Sequence, residues 1–189
     1  GGLGLEPGRD IRLRMVSGHI GRENRAEIAA TWGGAQVLDW YGVGDTPGVY
    51  RSVEPAWNDA NLRNIAPHIR SPLVFAHIRA AIGSAVQESN CHPFCYGKWL
   101  FMHNGFIGDF HKVKRDLVLA IDPSLFPAME GSADTEVMFL LALTFGLEDD
   151  PPAAVAAAVG LIEEVGKKHG VEHPIQMTVA TSNGEKVWA

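Results

Sequence analysis

The chain has 189 residues, of which 46% are hydrophobic and 20% charged, and its formal net charge at pH 7 is −6. That composition is typical of a globular protein, and a chain of this length can bury a hydrophobic core without help from disulfides or metals. Because it has no block of Lys or Arg, no apolar run of membrane-spanning length and no signal-peptide core, we expect no nucleic-acid partner, no membrane contact and a cytoplasmic location.

The first half of the chain is predicted to be rich in strands. Residues 1–35 show no clear period, although residues 22–30 favour a short helix. A second short helix is predicted to end at Ile65, and a polar loop is predicted over residues 83–97. The strands, predicted from apolar runs and their turn residues, are residues 37–43, 49–53, 73–78 and 99–103.

The second half is predicted to be more helical. Apolar residues at helical spacing predict a helix over residues 110–120. A nearly all-apolar stretch predicts a buried helix over residues 135–145. Asp150, which two prolines follow, predicts the start of a third helix that ends at Lys168.

The end of the chain is predicted to form a β-hairpin. The pair Asn183-Gly184 favours a tight turn between strands at residues 176–180 and 186–188. The sequence contains no internal repeat and no linker that would divide it. We therefore predict one α+β domain over residues 1–189, with layered sheets and helices.

Cys91 and Cys95 do not have the pattern of a disulfide framework or a zinc site. Three residues separate them, and no second Cys or His cluster completes the four ligands that a structural zinc ion requires. His77, His103 and His111 could join them only if the fold brought them together. We therefore predict two reduced thiols, no metal site and no cofactor.

Three short polar segments that follow or precede apolar runs are candidates for chemistry. Arg79 ends a buried strand, and its guanidinium fork suits a carboxylate, either of a substrate or of a structural ion pair. Asn104 and Gly105 end another strand and predict either a tight turn or an oxyanion hole. Asp134 precedes the apolar helix, where it could cap the helix or bind a substrate ammonium group. Pattern alone leaves these alternatives open.

These segments recur together in one known family. They are FAHIRA at 75–80, NCHPF at 90–94, WLFMHNG at 99–105 and GSADTE at 131–136. Their order and spacing resemble the class-II glutamine amidotransferases, in particular the small stand-alone bacterial branch. That branch neighbours the γ-glutamyl hydrolases of ergothioneine synthesis and glutathione breakdown. The resemblance runs from about residue 38 to the C-terminus, and residues 1–35 diverge from the family.

The resemblance implies a fold, a reaction and roles for five residues. The fold is the N-terminal-nucleophile (Ntn) hydrolase αββα sandwich, two antiparallel sheets between helix layers. In the family an N-terminal Cys attacks the side-chain amide of glutamine, ammonia leaves and a γ-glutamyl thioester forms. By position, Arg79 would bind the substrate α-carboxylate and Asp134 its α-ammonium group. Asn104 and Gly105 would form the oxyanion hole, and Gly131 would shape the approach to Asp134.

The chain departs from the family pattern in three ways. It begins with glycine instead of Cys, and no Cys precedes Cys91. Ile82 and Ala133 stand where relatives have hydroxyl residues near the substrate. The final strands of the family are missing after Ala189, so we expect a fold that is incomplete at both ends.

The resemblance therefore predicts a glutamine amidotransferase or γ-glutamyl amide hydrolase domain. Because the thioester step needs a thiol, we expect this chain to bind its ligand without releasing ammonia. The alternative is a catalytically inactive module that binds a γ-glutamyl ligand or a partner. A third hypothesis makes Cys91 a nucleophile beside His92, but neighbours on an extended segment point to opposite sides. The predicted partner is a small molecule, glutamine or a γ-glutamyl compound, and a homo-oligomer is left open.

The family assignment also predicts a geometry. The helix over residues 135–145 should be buried, with Asp134 at its N-terminus, where free N–H groups stabilise a carboxylate. The strands that end at Arg79 and Asn104 should be neighbours in one sheet. Their ends should then converge with Asp134 around a small polar cleft.

Overall fold

The described part of the chain contains eight strands, four α-helices and three short 3-10 helices. The structure, a computed structural model, describes residues 13–17, 35–41, 46–55, 57–69, 71, 73–79 and 85–189. The strands are β1 (Leu13–Ser17), β2 (Ala35–Tyr41), β3 (Pro47–Ser52), β4 (Val74–Arg79), β5 (Phe94–Tyr96), β6 (Trp99–Ile107), β7 (Ile175–Ser182) and β8 (Val187–Trp188). The helices are α1 (Ala60–Ile65), α2 (Phe110–Leu119), α3 (Asp134–Thr144) and α4 (Pro151–Lys168).

The strands of the described residues form two sheets of four strands each. The first has the order β1-β4-β2-β3, in which β2 runs antiparallel to both β3 and β4, while β1 runs parallel to β4. The second has the order β5-β6-β7-β8 and is antiparallel throughout. The predicted layered α+β architecture is thus confirmed, and β1 adds a parallel edge strand to it.

The expectation that the strands carrying Arg79 and Asn104 are neighbours in one sheet is wrong. Arg79 ends β4, whose two edges pair with β1 and β2, so no edge is left for β6. Asn104 lies in β6 of the second sheet, between β5 and β7. The two strands instead meet across the sandwich, where Phe75 of β4 joins Leu100 and Met102 of β6 in one buried cluster.

Strand β6 supplies side chains to two hydrophobic clusters, because alternate residues of a strand face opposite sides of its sheet. Trp99, Phe101 and Ile107 belong to the larger cluster, which β6 shares with α2, α3 and α4. The smaller cluster lies between the sheets and consists of Leu73, Phe75, Leu100, Met102 and Ala180. Beyond these residues, β6 continues into the segment that carries the candidate site.

Helix α3 is buried over most of its length, as its apolar sequence predicts. The residues from Thr135 to Ala142 are all buried, and the helix contacts β6, α2 and α4. Asp134 is its first residue, and Ala133 occupies the N-cap position. The N-terminus of α3 is therefore held against the second sheet by the packing of the whole helix.

The other predicted elements are present with shifted ends, and two regions differ. Strand β6 continues to Ile107, so Asn104 and Gly105 lie within a strand paired with β7, and the tight turn considered for them does not form. The predicted polar loop contains the short strand β5, which pairs with the start of β6. The helix predicted over residues 22–30 lies outside the described residues.

Two leucines of α2 test the packing of the helix layer. Leu117→Ala should lower the free energy of unfolding by about 2–5 kcal/mol, because Leu117 is fully buried and its truncation leaves a cavity. Leu119→Ala is the matched control, since Leu119 is 69% exposed and its loss should cost less than about 0.5 kcal/mol. Urea unfolding followed by circular dichroism measures both values. Equal losses would contradict the described packing of α2.

Candidate functional site

The carboxylate of Asp134 joins the start of α3 to the end of β6. Its Oδ2 accepts the N–H of Ile107 at 2.8 Å, and its Oδ1 accepts the N–H of Thr135 at 2.9 Å. The helix N-terminus stabilises negative charge at this position through its unpaired N–H groups and its dipole. Asp134 is half-buried, so the residue remains partly open to solvent.

At Gly105, strand β7 approaches β6 so closely that no side chain fits. A Cβ atom there would overlap the carbonyl oxygen of Gln176, and the backbone φ is +150°. Because N–H groups alternate along a strand and that of Ile107 points to Asp134, the N–H of Gly105 points to the same edge of β6. Among the described residues β5 pairs with β6 only as far as Phe101, so this edge is not covered by a strand at Gly105.

Asn104 lies beside Gly105 in β6, opposite Thr178 of β7. It is half-buried, and the alternation of the strand places it on the face that carries Met102, towards the first sheet. The end of β6 therefore presents a side-chain amide on one face and a backbone N–H along its edge. The structure brings Asn104, Gly105 and Asp134 together around this end of β6.

Glu136, a buried residue that the sequence analysis missed, fixes the segment that precedes Asp134. Its Oε1 accepts the N–H of Glu130 at 2.7 Å, and its Oε2 accepts the N–H of Gly131 at 2.9 Å. Burial raises the pKa of Glu136 above its ordinary value, and the two N–H groups oppose part of that rise. The signal in the sequence was an acidic residue directly before the apolar run of α3.

Asn90, fully buried, fixes the same segment from its other side. Its Oδ1 accepts the N–H of Ser132 at 2.7 Å, and its Nδ2 donates to the carbonyl of Ala85 at 2.9 Å. At Gly131 a Cβ atom would lie 2.5 Å from Asn90 Oδ1 and 2.6 Å from the carbonyl oxygen of Ser89. Glycine is therefore required at position 131 for space, next to the residues that lead to Asp134.

His103 connects three elements of the site. The residue is 2% exposed, with Nδ1 3.1 Å from Oγ1 of Thr135 in α3 and Nε2 3.0 Å from the carbonyl oxygen of Gln176 in β7. Burial lowers the pKa of His103, and the Gln176 carbonyl and the Asp134 carboxylate oppose part of that shift. Burial therefore favours the neutral form of the imidazole.

The end of β4 is joined to the second sheet by two stacked imidazoles. The ring centroids of His77 and His92 are 4.3 Å apart, and those of His92 and Phe94 are 5.0 Å apart in an edge-to-face arrangement. Asn90, two residues before His92, in turn bonds the segment before Asp134. Arg79 is the last residue of β4, and its side chain lies outside the described part of the structure.

Neither thiol is placed as a nucleophile at this site. Cys91 is 1% exposed, and its Sγ lies 3.5 Å from the carbonyl oxygen of Gln87. Cys95 belongs to β5 and pairs with Leu100, near the opposite end of β6 from Gly105. In the described ranges, no three His, Cys, Asp or Glu side chains cluster so that they could hold a metal ion. In the same ranges no helix is long and apolar enough to cross a membrane.

Two glycines with positive φ test the close approach of β6 and β7. Gly105→Ala should lower the free energy of unfolding by more than Gly97→Ala does. Both substitutions place a side chain at positive φ, which costs roughly 1–2 kcal/mol. Only the Cβ at Gly105 would also overlap a backbone oxygen, since the space around Gly97 is open. Denaturant unfolding compares the two, and a loss at Gly105 no larger than at Gly97 would contradict the described geometry.

The sequence matches the family described as class-II glutamine amidotransferases over residues 18–189. It is 42% identical over 99 residues to "Probable glutamine amidotransferase DUG3" of Saccharomyces cerevisiae. That aligned region covers 52% of this chain and 28% of the yeast protein. It is 29% identical over 165 residues to the γ-glutamyl-hercynylcysteine sulfoxide hydrolase of Mycolicibacterium smegmatis, with 82% of this chain and 62% of that protein covered.

A solved structure has the same fold. It is a glutamine aminotransferase class-II domain protein from Silicibacter pomeroyi, and the two superpose with a TM-score of 0.72 at 38% sequence identity. The superposition covers 81% of this chain and 66% of that one. The chain therefore spans at most 66% of the length of each of these three relatives.

Proposed function

The chain belongs to the class-II glutamine amidotransferases, and from this premise we propose that its site binds the glutamyl part of glutamine or of another γ-glutamyl compound. Asp134 binds the α-ammonium group of the ligand, and Arg79 binds its α-carboxylate. Asn104 and Gly105 donate hydrogen bonds to the carbonyl oxygen of the γ-amide. The observation that carries the proposal is that the Asp134 carboxylate and the Gly105 N–H lie along one edge of β6.

The hydrogen bonds of Asp134 support its role in binding an ammonium group. Each carboxylate oxygen already accepts one backbone N–H, from Ile107 or from Thr135. A carboxylate oxygen has room for a second hydrogen bond, so an ammonium group can bind without displacing either one. The two backbone donors fix the direction of the carboxylate before the ligand arrives, which reduces the entropy lost on binding.

The end of β6 supports the role of an oxyanion hole. When a nucleophile adds to the γ-amide carbon, negative charge develops on its oxygen, and fixed hydrogen-bond donors stabilise that charge. The Gly105 N–H is directed by the β6–β7 pairing, and Asn104 next to it carries a side-chain amide. Because both donors belong to a paired strand, they need little reorganisation during the reaction.

A path of contacts supports the placement of Arg79 near this site. The end of β4 stacks through His77 on His92, and the same segment bonds Ser132 through Asn90. Ser132 lies two residues before Asp134. The end of β4 that carries Arg79 is therefore connected, through His92 and Asn90, to the segment that precedes Asp134. A zwitterionic amino acid has its two charged groups close together, so the proposal requires the Arg79 guanidinium to reach the ligand from the end of β4.

Substitutions at the two charged residues test the proposed ligand. Asp134→Asn and Arg79→Lys should each weaken the binding of glutamate. Asn lacks the charge that attracts ammonium, and Lys cannot reproduce the bidentate fork of Arg. The loss of a charge-assisted hydrogen bond costs about 1.5–3 kcal/mol, or roughly 10- to 150-fold in Kd. Isothermal titration calorimetry measures the affinities.

The matched controls for these variants are Asp122→Asn and Arg115→Lys, which change the same residue types at exposed positions. They should bind glutamate as the unsubstituted chain does. Equal affinities for the site variants and their controls would remove Asp134 and Arg79 from the proposed site.

The nucleophile of the reaction is tested separately. Family chemistry forms a γ-glutamyl thioester, which requires an accessible thiol. The sequence contains two Cys, of which Cys91 is buried and Cys95 is remote from Gly105 along β6. We therefore expect a polypeptide of these 189 residues to bind glutamate without releasing ammonia from glutamine. Coupled detection of ammonia measures the turnover. Turnover that Cys91→Ala abolishes would contradict the expectation and make Cys91 the nucleophile.

A further inference from the structure

His103 stands directly before the two proposed oxyanion donors, and both of its ring nitrogens have partners. Nε2 meets the carbonyl oxygen of Gln176, which is the oxygen that a Cβ at Gly105 would overlap. Nδ1 meets Oγ1 of Thr135, whose own N–H binds the Asp134 carboxylate. One imidazole therefore contacts both the β7 carbonyl that lies against Gly105 and the residue that follows Asp134.

The partners determine where the ring proton is. A carbonyl oxygen can only accept a hydrogen bond. Nε2 therefore carries the ring proton and donates a hydrogen bond to the carbonyl oxygen of Gln176. In the neutral ring Nδ1 is then an acceptor, and the Thr135 hydroxyl donates to it. The two bonds differ in direction, and a residue that can only donate or only accept cannot replace His103.

We propose that His103 is a positioning residue that sets the Gly105 N–H and the Asp134 carboxylate relative to each other. Its bond to Gln176 keeps the β7 carbonyl against Gly105 and so holds the Gly105 peptide in its unusual conformation. Its bond to Thr135 holds the first turn of α3 at the same strand, which places Asp134 beside Ile107. The predicted effect of His103 on ligand binding rests on the proposed function. Its predicted effect on the amides of Gly105 and Ile107 does not.

Thr135 and Thr181 provide a matched pair for the test. Each is 2% exposed, and each hydroxyl makes one buried hydrogen bond, that of Thr181 to the carbonyl of Leu100 at 2.9 Å. Thr135→Val removes the donor to His103 and keeps the shape of the side chain. Thr181→Val removes an equivalent hydroxyl from the β6–β7 pair away from the site. Thr135→Ser keeps the donor and serves as the rescue variant.

Two measurements apply to each variant. The first is the ¹H–¹⁵N spectrum of the protein, with the amides of Gly105 and Ile107 assigned. The second is calorimetric titration with glutamate. We expect Thr135→Val to shift both amide resonances and to weaken glutamate binding by roughly 2- to 12-fold, the size of one net hydrogen bond. Thr135→Ser should restore both values, and Thr181→Val should change neither.

The possible outcomes separate this proposal from the proposed function. Unshifted Gly105 and Ile107 amides in Thr135→Val, or equal shifts in Thr181→Val, would overturn the positioning role. Shifted amides in a protein that does not bind glutamate would support the positioning role and overturn the proposed function. If Thr135→Val does not fold, Thr135→Ala replaces it, with Thr181→Ala as its control. Alanine also lacks the hydroxyl that donates to His103 Nδ1, and the same amides should shift.

Discussion

The hydrogen bond from the Ile107 N–H to the Asp134 carboxylate joins the open edge of β6 to the first turn of α3. An unpaired strand edge presents N–H groups that need acceptors, and a helix N-terminus favours a carboxylate, so one side chain satisfies both elements. The deep burial of α3 makes this contact firm, because the helix cannot shift without opening the larger hydrophobic cluster. The Gly105 N–H lies two residues earlier on the same edge, where no strand of the described chain pairs with β6.

Around this contact the loops are held by side chains that bond to backbone. Glu136 accepts the N–H groups of Glu130 and Gly131, Asn90 accepts that of Ser132, and His103 bonds the Gln176 carbonyl. Residues 130–132 belong to no helix or strand of the described chain, so side chains accept their N–H groups. Buried polar groups without partners are costly. Buried polar side chains thus give the loops of the site a fixed geometry, which a binding site for a small zwitterion requires.

The sequence predicted those features that depend on local pattern. The apolar run of α3, the acidic cap of α4 at Asp150 and the hairpin at Asn183-Gly184 all follow from spacing within a short segment. It did not predict which sheet contains β4. An apolar run of strand length predicts a buried strand but does not show which other strands pair with it. It also missed Asn90 and His103, since their roles depend on partners that are distant in the chain. It missed Glu136 because the apolar pattern of α3 does not show that the preceding segment folds back onto this carboxylate. Arg79, Asn104, Gly105, Gly131 and Asp134 were singled out from their family segments, and their chemical roles remain predictions.

The pairing of β6 with β7 has a consequence for how the sequence can change in length. It runs without a bulge from Leu100 opposite Ser182 to Ile107 opposite Ile175, and beyond it the Gly108 N–H donates to the Pro174 carbonyl. A single inserted residue within β6 would move every later side chain to the other face, so Asn104 would turn towards the helices. Insertions at the turn after Ser182 would leave that pairing intact. Substitution is therefore tolerated far more widely than insertion or deletion along the strand that carries the site.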